Sequence, residues 1–461
     1  MSMLDVAVRN RSRWALLGVG LVVVAMYIAI LLYLMERSTW DTWGAMVIGP
    51  VLYLISIPAF VRQAKRENDR RVVWLLVTAL TVKFVFSLLR YHQAFNLVNK
   101  ADAQAYDATG TEIALRFLSG DYSTGLEGWL DSNFIRLFTG LIYTVIRPTA
   151  AGAFLIYAWL AFWGTYFFYR AFVLAVPDGN RRSYGRWLFF LPSILFWPSS
   201  IGKESWLIFG LGIAAFGAAK VLSERVMPGL LVAALGIGLT ALVRTPSAVA
   251  MGIGLVVGGF LRRPKRELRH LGPIAKLATT GLFVGLALVM FLVLQEYLAR
   301  EGLGGQDIDS LLAESQRLTA TGGSEFTPTS ITSPIGLMIA AVTVLFRPFL
   351  FEANNAEAVV TALEASVLMV FTLVRWRSIW AAIRGVRRIP YAAVAITYVG
   401  AAIVALSAVA NFGIIARQRT LIFPMFLVLL CVAPARRARS EADHRAEVPA
   451  AGTRALVGAR R

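Results

Sequence analysis

The residues of this chain that could do chemistry are charged side chains placed at the ends of long apolar runs. Asp102 and Asp107 follow a run ending near Tyr91, Lys203 and Glu204 stand between two others, and Arg244 follows a third. Arg347 and Glu352 precede a later run, and Arg417 and Arg419 lie between the last two. A charge at bilayer depth costs about 2.5–3.5 kcal/mol on insertion scales, so it normally has a partner or a task. Several of these residues sit in rigid, aromatic or proline-bearing contexts: Phe196-Trp197-Pro198-Ser199-Ser200, Arg244-Thr245-Pro246 and Phe346-Arg347-Pro348-Phe349. Proline fixes the local turn and would aim the neighbouring cation. The planar fork of arginine matches phosphate oxygens in pairs. Three or four such cations on one side of a membrane would suit a lipid-linked phosphate or diphosphate.

Each feature also has a plainer reading. Arg417 and Arg419 could mark a membrane boundary, and Arg347 with Glu352 could be an ion pair tying down a re-entrant helix. Lys203 and Glu204 could cap the helix that follows them, and Asp102 could be a solvated loop acid. The small-residue pairs Gly254/Gly258 and Gly281/Gly285 read as helix-packing positions. Ser199-Ser200-Ile201-Gly202-Lys203-Glu204 is not a phosphate-binding P-loop, because it lacks the upstream glycine and the hydroxyl residue after lysine. No Ser-His-Asp set is available on the outer face, where only His92 would fall.

The elements that must position these residues are set by composition. Of 461 residues, 57% are hydrophobic, and the mean hydropathy is +0.64. One soluble core could not hide that much apolar surface, so lipid must act as part of the solvent. A hydrocarbon layer of roughly 30 Å needs about 20 apolar residues in a helix. Runs of that kind predict an all-α polytopic membrane protein with twelve spans: 14–35, 43–61, 72–91, 151–175, 187–201, 204–222, 228–243, 246–261, 277–297, 355–374, 390–410 and 419–433. A β-barrel would show short alternating strands instead.

Two further apolar stretches, Phe134 to Ile146 and Ile335 to Phe346, are too short to span comfortably. Positive charge decides their placement, since lysine and arginine collect in cytoplasmic loops. Treating both as interfacial or re-entrant helices puts about 30 of the 46 lysines and arginines inside, together with both termini. The outer loops then run from about 92 to 150 and from about 298 to 354. All of 1–433 reads as one transmembrane domain, followed by a basic, disordered cytoplasmic tail over 434–461. Residues 112–118 read as a short surface helix.

The formal charge of +19 belongs to the loops, and no basic folded domain is left to bind nucleic acid. The single Cys431 lies in an apolar run, so no internal disulfide forms. His92, His270 and His444 have no paired ligand spacing and define no metal site. No cofactor is predicted, and the outer-loop acids leave a divalent ion open.

The stretch from Asp102 through Gln104 and Tyr106 to Asp107 resembles the first outer loop of GT-C superfamily glycosyltransferases. The run Leu191-Pro192-Ser193-Ile194-Leu195-Phe196-Trp197-Pro198-Ser199-Ser200, ending in Lys203-Glu204, resembles the same group. Phe346-Arg347-Pro348-Phe349 and Asn411-Phe412-Gly413 with Arg417-Gln418-Arg419 are similar to stretches of bacterial polysaccharide-assembly proteins, GT-C-like and O-antigen-polymerase-like. Two spans precede the first large outer loop beyond the usual GT-C plan, and the C-terminal soluble domain of several members is absent. The resemblance implies Asp102 or Asp107 as general base toward an acceptor hydroxyl, being ionised at neutral pH. It implies Lys203, Glu204, Arg244, Arg347, Glu352, Arg417 and Arg419 around a polyprenyl phosphate or diphosphate, with the cations steadying the leaving group. Tyr106 or Trp197 would stack on a sugar.

The implied partners are a polyprenyl-phosphate-linked sugar, a glycan or lipid-linked acceptor and membrane lipids, with no nucleotide sugar required. The implied function is an integral-membrane glycosyltransferase of the cytoplasmic membrane, acting on its outer face in cell-envelope polysaccharide assembly. A polymerase of lipid-linked repeat units is the nearest competing reading, and a lipid-linked sugar flippase a further one. The flippase would call for internal repeats and facing broken helices, which this sequence does not display.

Overall fold

The computed structural model describes residues 3–97, 101–223, 226–262, 272–300, 333–353 and 356–434, with isolated positions between 316 and 331. Most of the basic cluster at 262–276, most of the second outer loop and the tail beyond 434 lie outside the described residues. Among the described residues the protein is helical, with no β-strand. Eight helices among the described residues are long and apolar enough to cross a membrane, or nine if one bent pair counts as a span. The protein is therefore a polytopic helical membrane protein.

The chain divides into two compact units. The first comprises Met1–Trp129, Asn133–Trp159 and Ser199–Gly202, and the second the remainder. In the first unit, α1 (Met3–Arg37), α2 (Trp40–Glu67) and α3 (Arg71–His92) are the early spans. A π-helical turn, Gln93–Leu97, extends α3. Then come α4 (Asp102–Leu118), α5 (Ser132–Ile146) and the first ten residues of α6 (Ala150–Ala175). The glycines Gly110 and Gly140 let α4 and α5 touch. A Cβ on Gly110 would lie 2.6 Å from Thr139 Cγ2, and one on Gly140 2.6 Å from Ile113 Cγ2. The predicted surface helix at 112–118 is thus the last part of the longer α4, with Ile113 and Ala114 buried and Leu115 exposed.

The second unit holds the rest of α6, then α7 (Arg181–Phe190), α8 (Pro192–Phe196), α9 (Lys203–Ser223), α10 (Val226–Ala241) and α11 (Thr245–Phe260). It continues with α12 (Gly272–Arg300), α13 (Pro334–Phe346), α14 (Ala356–Val374) and α15 (Trp376–Arg384). Last are α16 (Pro390–Ser407), α17 (Phe412–Gln418) and α18 (Phe423–Cys431). The stretch 187–201, expected as one span, is broken. Leu191 is extended (φ −65°, ψ 122°) and Pro192, which lacks an N–H, restarts a helix of only 5 residues. The stretches expected at 228–243 and 246–261 form helices of 16 residues each, about 24 Å long at 1.5 Å per residue. The last span, expected over 419–433, corresponds to the second arm of a bent pair that begins at Phe412, with an angle of 59° between Phe412–Leu421 and Phe423–Cys431.

Close packing in this unit depends on glycine. The helices α9 and α10 form an antiparallel hairpin in which Gly210 and Gly217 on one side alternate with Gly229 and Gly236 on the other. A Cβ on Gly217 would sit 2.2 Å from Ala233 N, and one on Gly236 2.2 Å from Ala214 N. Gly254 and Gly258 likewise let α11 approach α16 at Val394 and Pro390. Gly281 and Gly285 meet nothing within 4 Å among the described residues, so no described helix packs on the face that this pair was expected to use.

This geometry yields a matched test. Gly217→Ala should destabilise the purified protein by about 1–3 kcal/mol, the usual cost of overpacking. Gly238→Ala, which meets nothing within 4 Å, should be neutral or slightly stabilising. Thermal unfolding of both variants in one detergent separates the two outcomes.

Candidate functional site

In the first unit the acids gather where α2, α3, α4, α5 and α6 converge. Asp102 is exposed and opens α4, where a carboxylate is favoured by the helix dipole. Tyr106, one turn later, is only 5% exposed, so its ring packs inside the unit rather than facing outward. Asp107 is half-buried and accepts a hydrogen bond from the Tyr143 hydroxyl. Close by is Asp41, a residue that the sequence analysis did not single out. Its Oδ1 accepts from the Ala150 N–H at 2.5 Å, which satisfies an otherwise open donor at the start of α6. The Tyr91 hydroxyl reaches Asp41 Oδ2 at 3.4 Å. Burial pushes the Asp107 carboxyl above its ordinary range, and the negative charge of Asp41 adds to this, against the opposing donation from Tyr143.

In the second unit most of the expected cations have acidic partners. Lys203 Nζ lies 2.7 Å from both carboxylate oxygens of Asp131. Asp131 sits on a left-handed turn (φ 58°) and donates its N–H to Leu242 O at 2.8 Å. Burial alone would raise the Asp131 carboxyl, but Lys203 outweighs it and holds the group below its ordinary range. Buried Glu204 pairs with Arg417, Nε to Oε1 at 2.7 Å, so both residues that open α9 carry ion pairs.

Arg347 is held in three ways. Its Nε lies 3.0 and 3.1 Å from the two oxygens of Glu352, and Nη2 closes the fork. Glu352 also accepts from the Phe349 N–H at 2.8 Å. Its carboxyl, which burial would raise, is pulled below its ordinary range by these donors. The guanidinium lies 4.9 Å from the Phe326 ring and 4.7 Å from Phe412, and those two rings stack at 4.4 Å. The plainer reading of Arg347 with Glu352, an ion pair, is what forms.

Arg419 is fully buried. Its Nη1 donates to the Arg347 carbonyl, and its charge acts on Glu364 in the middle of α14. Glu364 Oε2 accepts from the Ser193 N–H at 2.7 Å, at the first turn of the broken α8. Sequence reasoning missed Glu364 because it lies inside a long apolar run. A lone acid in such a run was the available signal.

Arg244 differs from the other cations. It precedes α11 in extended conformation (φ −152°, ψ 91°) and makes no ion pair within 4 Å among the described residues. It lines a cavity of about 1560 Å³. Val249, Ile253, Leu292, Ala401 and Ala405 from α11, α12 and α16 give this cavity apolar walls, while Asp131, Arg244, Gln295, Glu296 and Gln418 supply polar groups. Lys203, Glu204, Arg347, Glu352, Arg417 and Arg419 do not line it. Trp197 is half-buried with its ring edge-on to Phe196 at 5.3 Å. Among the described residues no group of three or more His, Cys, Asp or Glu side chains is placed to hold a metal ion.

The expected chamber drew Asp102, Tyr106 and Asp107 from the first unit and every cation from the second. Within the second unit Arg244 and Asp131 line the cavity, Asp131 pairs with Lys203 and Glu204 with Arg417, the charge of Arg244 also acts on Glu204, and Arg347 with Glu352 lies beside Arg419. The fold and these clusters define a multi-pass helical membrane protein with an amphipathic cavity. In comparisons with known proteins, no family model, no curated protein and no solved structure matches this chain.

Removing Glu364 should be costly, because it leaves the buried Ser193 N–H without its acceptor and takes away the negative charge that acts on Arg419. Glu364→Leu is expected to lose about 1–3 kcal/mol, the cost of leaving a buried donor without its acceptor, against less than about 1 kcal/mol for Asp178→Ala, whose pair with Arg388 is solvent-exposed. Denaturant titration in detergent micelles measures the difference.

Proposed function

We propose that this protein is an integral-membrane glycosyltransferase that takes its sugar from a polyprenyl-phosphate-linked donor and builds cell-envelope polysaccharide on the extracytoplasmic face. The observation that carries the reading is the cavity of about 1560 Å³ in the second unit. It is larger than the roughly 300–1,000 Å³ of an ordinary small-molecule site. Apolar walls beside an arginine that makes no ion pair within 4 Å among the described residues suit an amphiphile with a long chain and an anionic head. Arg244 would bind the donor phosphate and stabilise the charge that grows on it as the sugar departs. Gln295 and Gln418 offer neutral donors to the same head.

In the first unit, Asp107 is the better general base of the two acids that the sequence singled out. It is half-buried, oriented by Tyr143 and has a raised proton affinity, whereas Asp102 is exposed. A base poised closer to neutrality accepts a hydroxyl proton more effectively. The resemblance of the Asp102–Asp107 stretch to GT-C enzymes supports the same assignment. The arginine-rich composition of the second unit favours one competing reading, a polymerase of lipid-linked repeat units. Loss of the protein in its host discriminates between them: a missing transferase leaves an unfinished acceptor, and a missing polymerase leaves single repeat units on lipid.

Two measurements on reconstituted protein test the roles. Asp107→Asn should lower turnover by about 10²–10⁴-fold, the range of general base catalysis, while Arg244→Ala should weaken retention of the polyprenyl-phosphate sugar. If Asp102→Asn and Asp107→Asn both leave product formation intact while Arg347→Ala abolishes it, the transferase assignment is wrong. The pH profile gives the second check. The base must be deprotonated, and the Asp107 carboxyl titrates above its ordinary range. Activity should therefore fall on acidification at a higher pH than for a solvated aspartate. Asp41→Asn removes the neighbouring negative charge and should move that acid limb to lower pH.

A further inference from the structure

A second binding feature lies on α15, which contributes no residue to the cavity. We propose that α15 and the turn after it form a docking site for the phosphate headgroups of anionic glycerophospholipids in the surrounding bilayer. The helix is 9 residues long, set off from α14 by a break at Arg375 and ended by Gly385. One face carries Trp376, Arg377, Trp380, Ile383 and Arg384, all exposed, and the opposite face buries Ser378 and Ala382. Trp376 and Trp380 are 52% and 50% exposed, which in water would be an unfavourable surface. The Arg375 Nε–H anchors the start of the helix to Leu430 O at 2.9 Å.

Tryptophan prefers the membrane–water boundary, and arginine beside it reaches back to the phosphate layer. The structure shows this arrangement within α15: the Arg377 guanidinium lies 5.8 Å from the Trp376 ring and Arg384 lies 5.2 Å from Trp380. Arg387 is exposed just beyond, and Arg388 makes an exposed pair with Asp178. No aspartate or glutamate occurs between Glu364 and Glu441 in the sequence. The patch therefore has strong positive charge and little internal compensation. Anionic lipid is its complement, because an amphipathic segment with tryptophan on an exposed face and several arginines binds a charged membrane surface. A soluble acidic protein would satisfy the arginines but leave the tryptophans and Ile383 without an apolar medium.

The test uses the full-length chain in mild detergent, supplied with phosphatidylglycerol and phosphatidylcholine and weighed by native mass spectrometry. The wild type should retain phosphatidylglycerol in preference. Arg377→Gln/Arg384→Gln/Arg387→Gln should lose that preference, with apparent affinity falling about fivefold for each charge removed. The corresponding triple lysine variant should keep most of it. Trp376→Ala/Trp380→Ala retains every charge and should still lower retention of both lipids, which covers the case of a glutamine variant that fails to fold. Millimolar inorganic phosphate should not displace the lipid. Equal phosphatidylglycerol retention by the wild type and the triple glutamine variant overturns the proposal. So does full retention by the tryptophan variant, or displacement by inorganic phosphate.

Discussion

A guanidinium with no exposure to solvent constrains everything packed around it, and in the second unit that residue is Arg419. Its charge must be met within the protein, because burial without compensation costs several kcal/mol. Two distant parts of the chain contribute: the Arg347 carbonyl accepts from Nη1, and the negative charge of Glu364 on α14 acts on the guanidinium without an ion pair within 4 Å. Glu364 in turn takes the Ser193 N–H, one of the open donors created when Pro192 restarts the helix. The broken α8, the mid-helix acid of α14 and the bend before α18 thus form one electrostatic unit. None of the three would be stable in lipid alone, since each leaves polar groups that lipid cannot satisfy.

The same rule explains why the expected phosphate clamp is smaller in the structure than in the sequence. Lys203, Arg417 and Arg347 each have an acid within ion-pair distance, so their charge is largely spent inside the fold. Arg244 is the cation left facing a cavity whose walls are otherwise mostly apolar. In the first unit, Asp41 and Asp107 show the complementary effect. One carboxylate is consumed in closing the N-terminus of α6, and burial raises the proton affinity of the other, with the charge of the first adding to it. A structural acid then tunes a neighbouring acid that the resemblance points to as a base.

Helix packing follows a different rule. Inside the second unit, glycine allows α9 and α10 to bring their backbones together, with an added Cβ on Gly217 or Gly236 falling 2.2 Å from the facing backbone nitrogen. Small residues at spaced positions are how membrane helices gain dispersion contact when no hydrophobic force separates protein from lipid. Gly254 and Gly258 follow this rule and Gly281 and Gly285 do not. Sequence spacing reveals which helix face is small but not whether another helix lies against it.

Hydropathy alone determined that this is an all-helical polytopic membrane protein, because the energy of lipid transfer is a property of consecutive residues and needs no partner. Eight of the twelve expected spans are the eight long helices. The break at Pro192 and the short lengths of α10 and α11 were written in the proline and polar positions, but their consequences depended on what could cover the open backbone groups. The pairing of Lys203 with Asp131 across 72 residues and of Glu204 with Arg417, and the placing of Glu364 where its charge acts on Arg419, were decided by the tertiary structure. A charge in the sequence announces only that it must be compensated; which group compensates it depends on distances between helices, and those are fixed by packing.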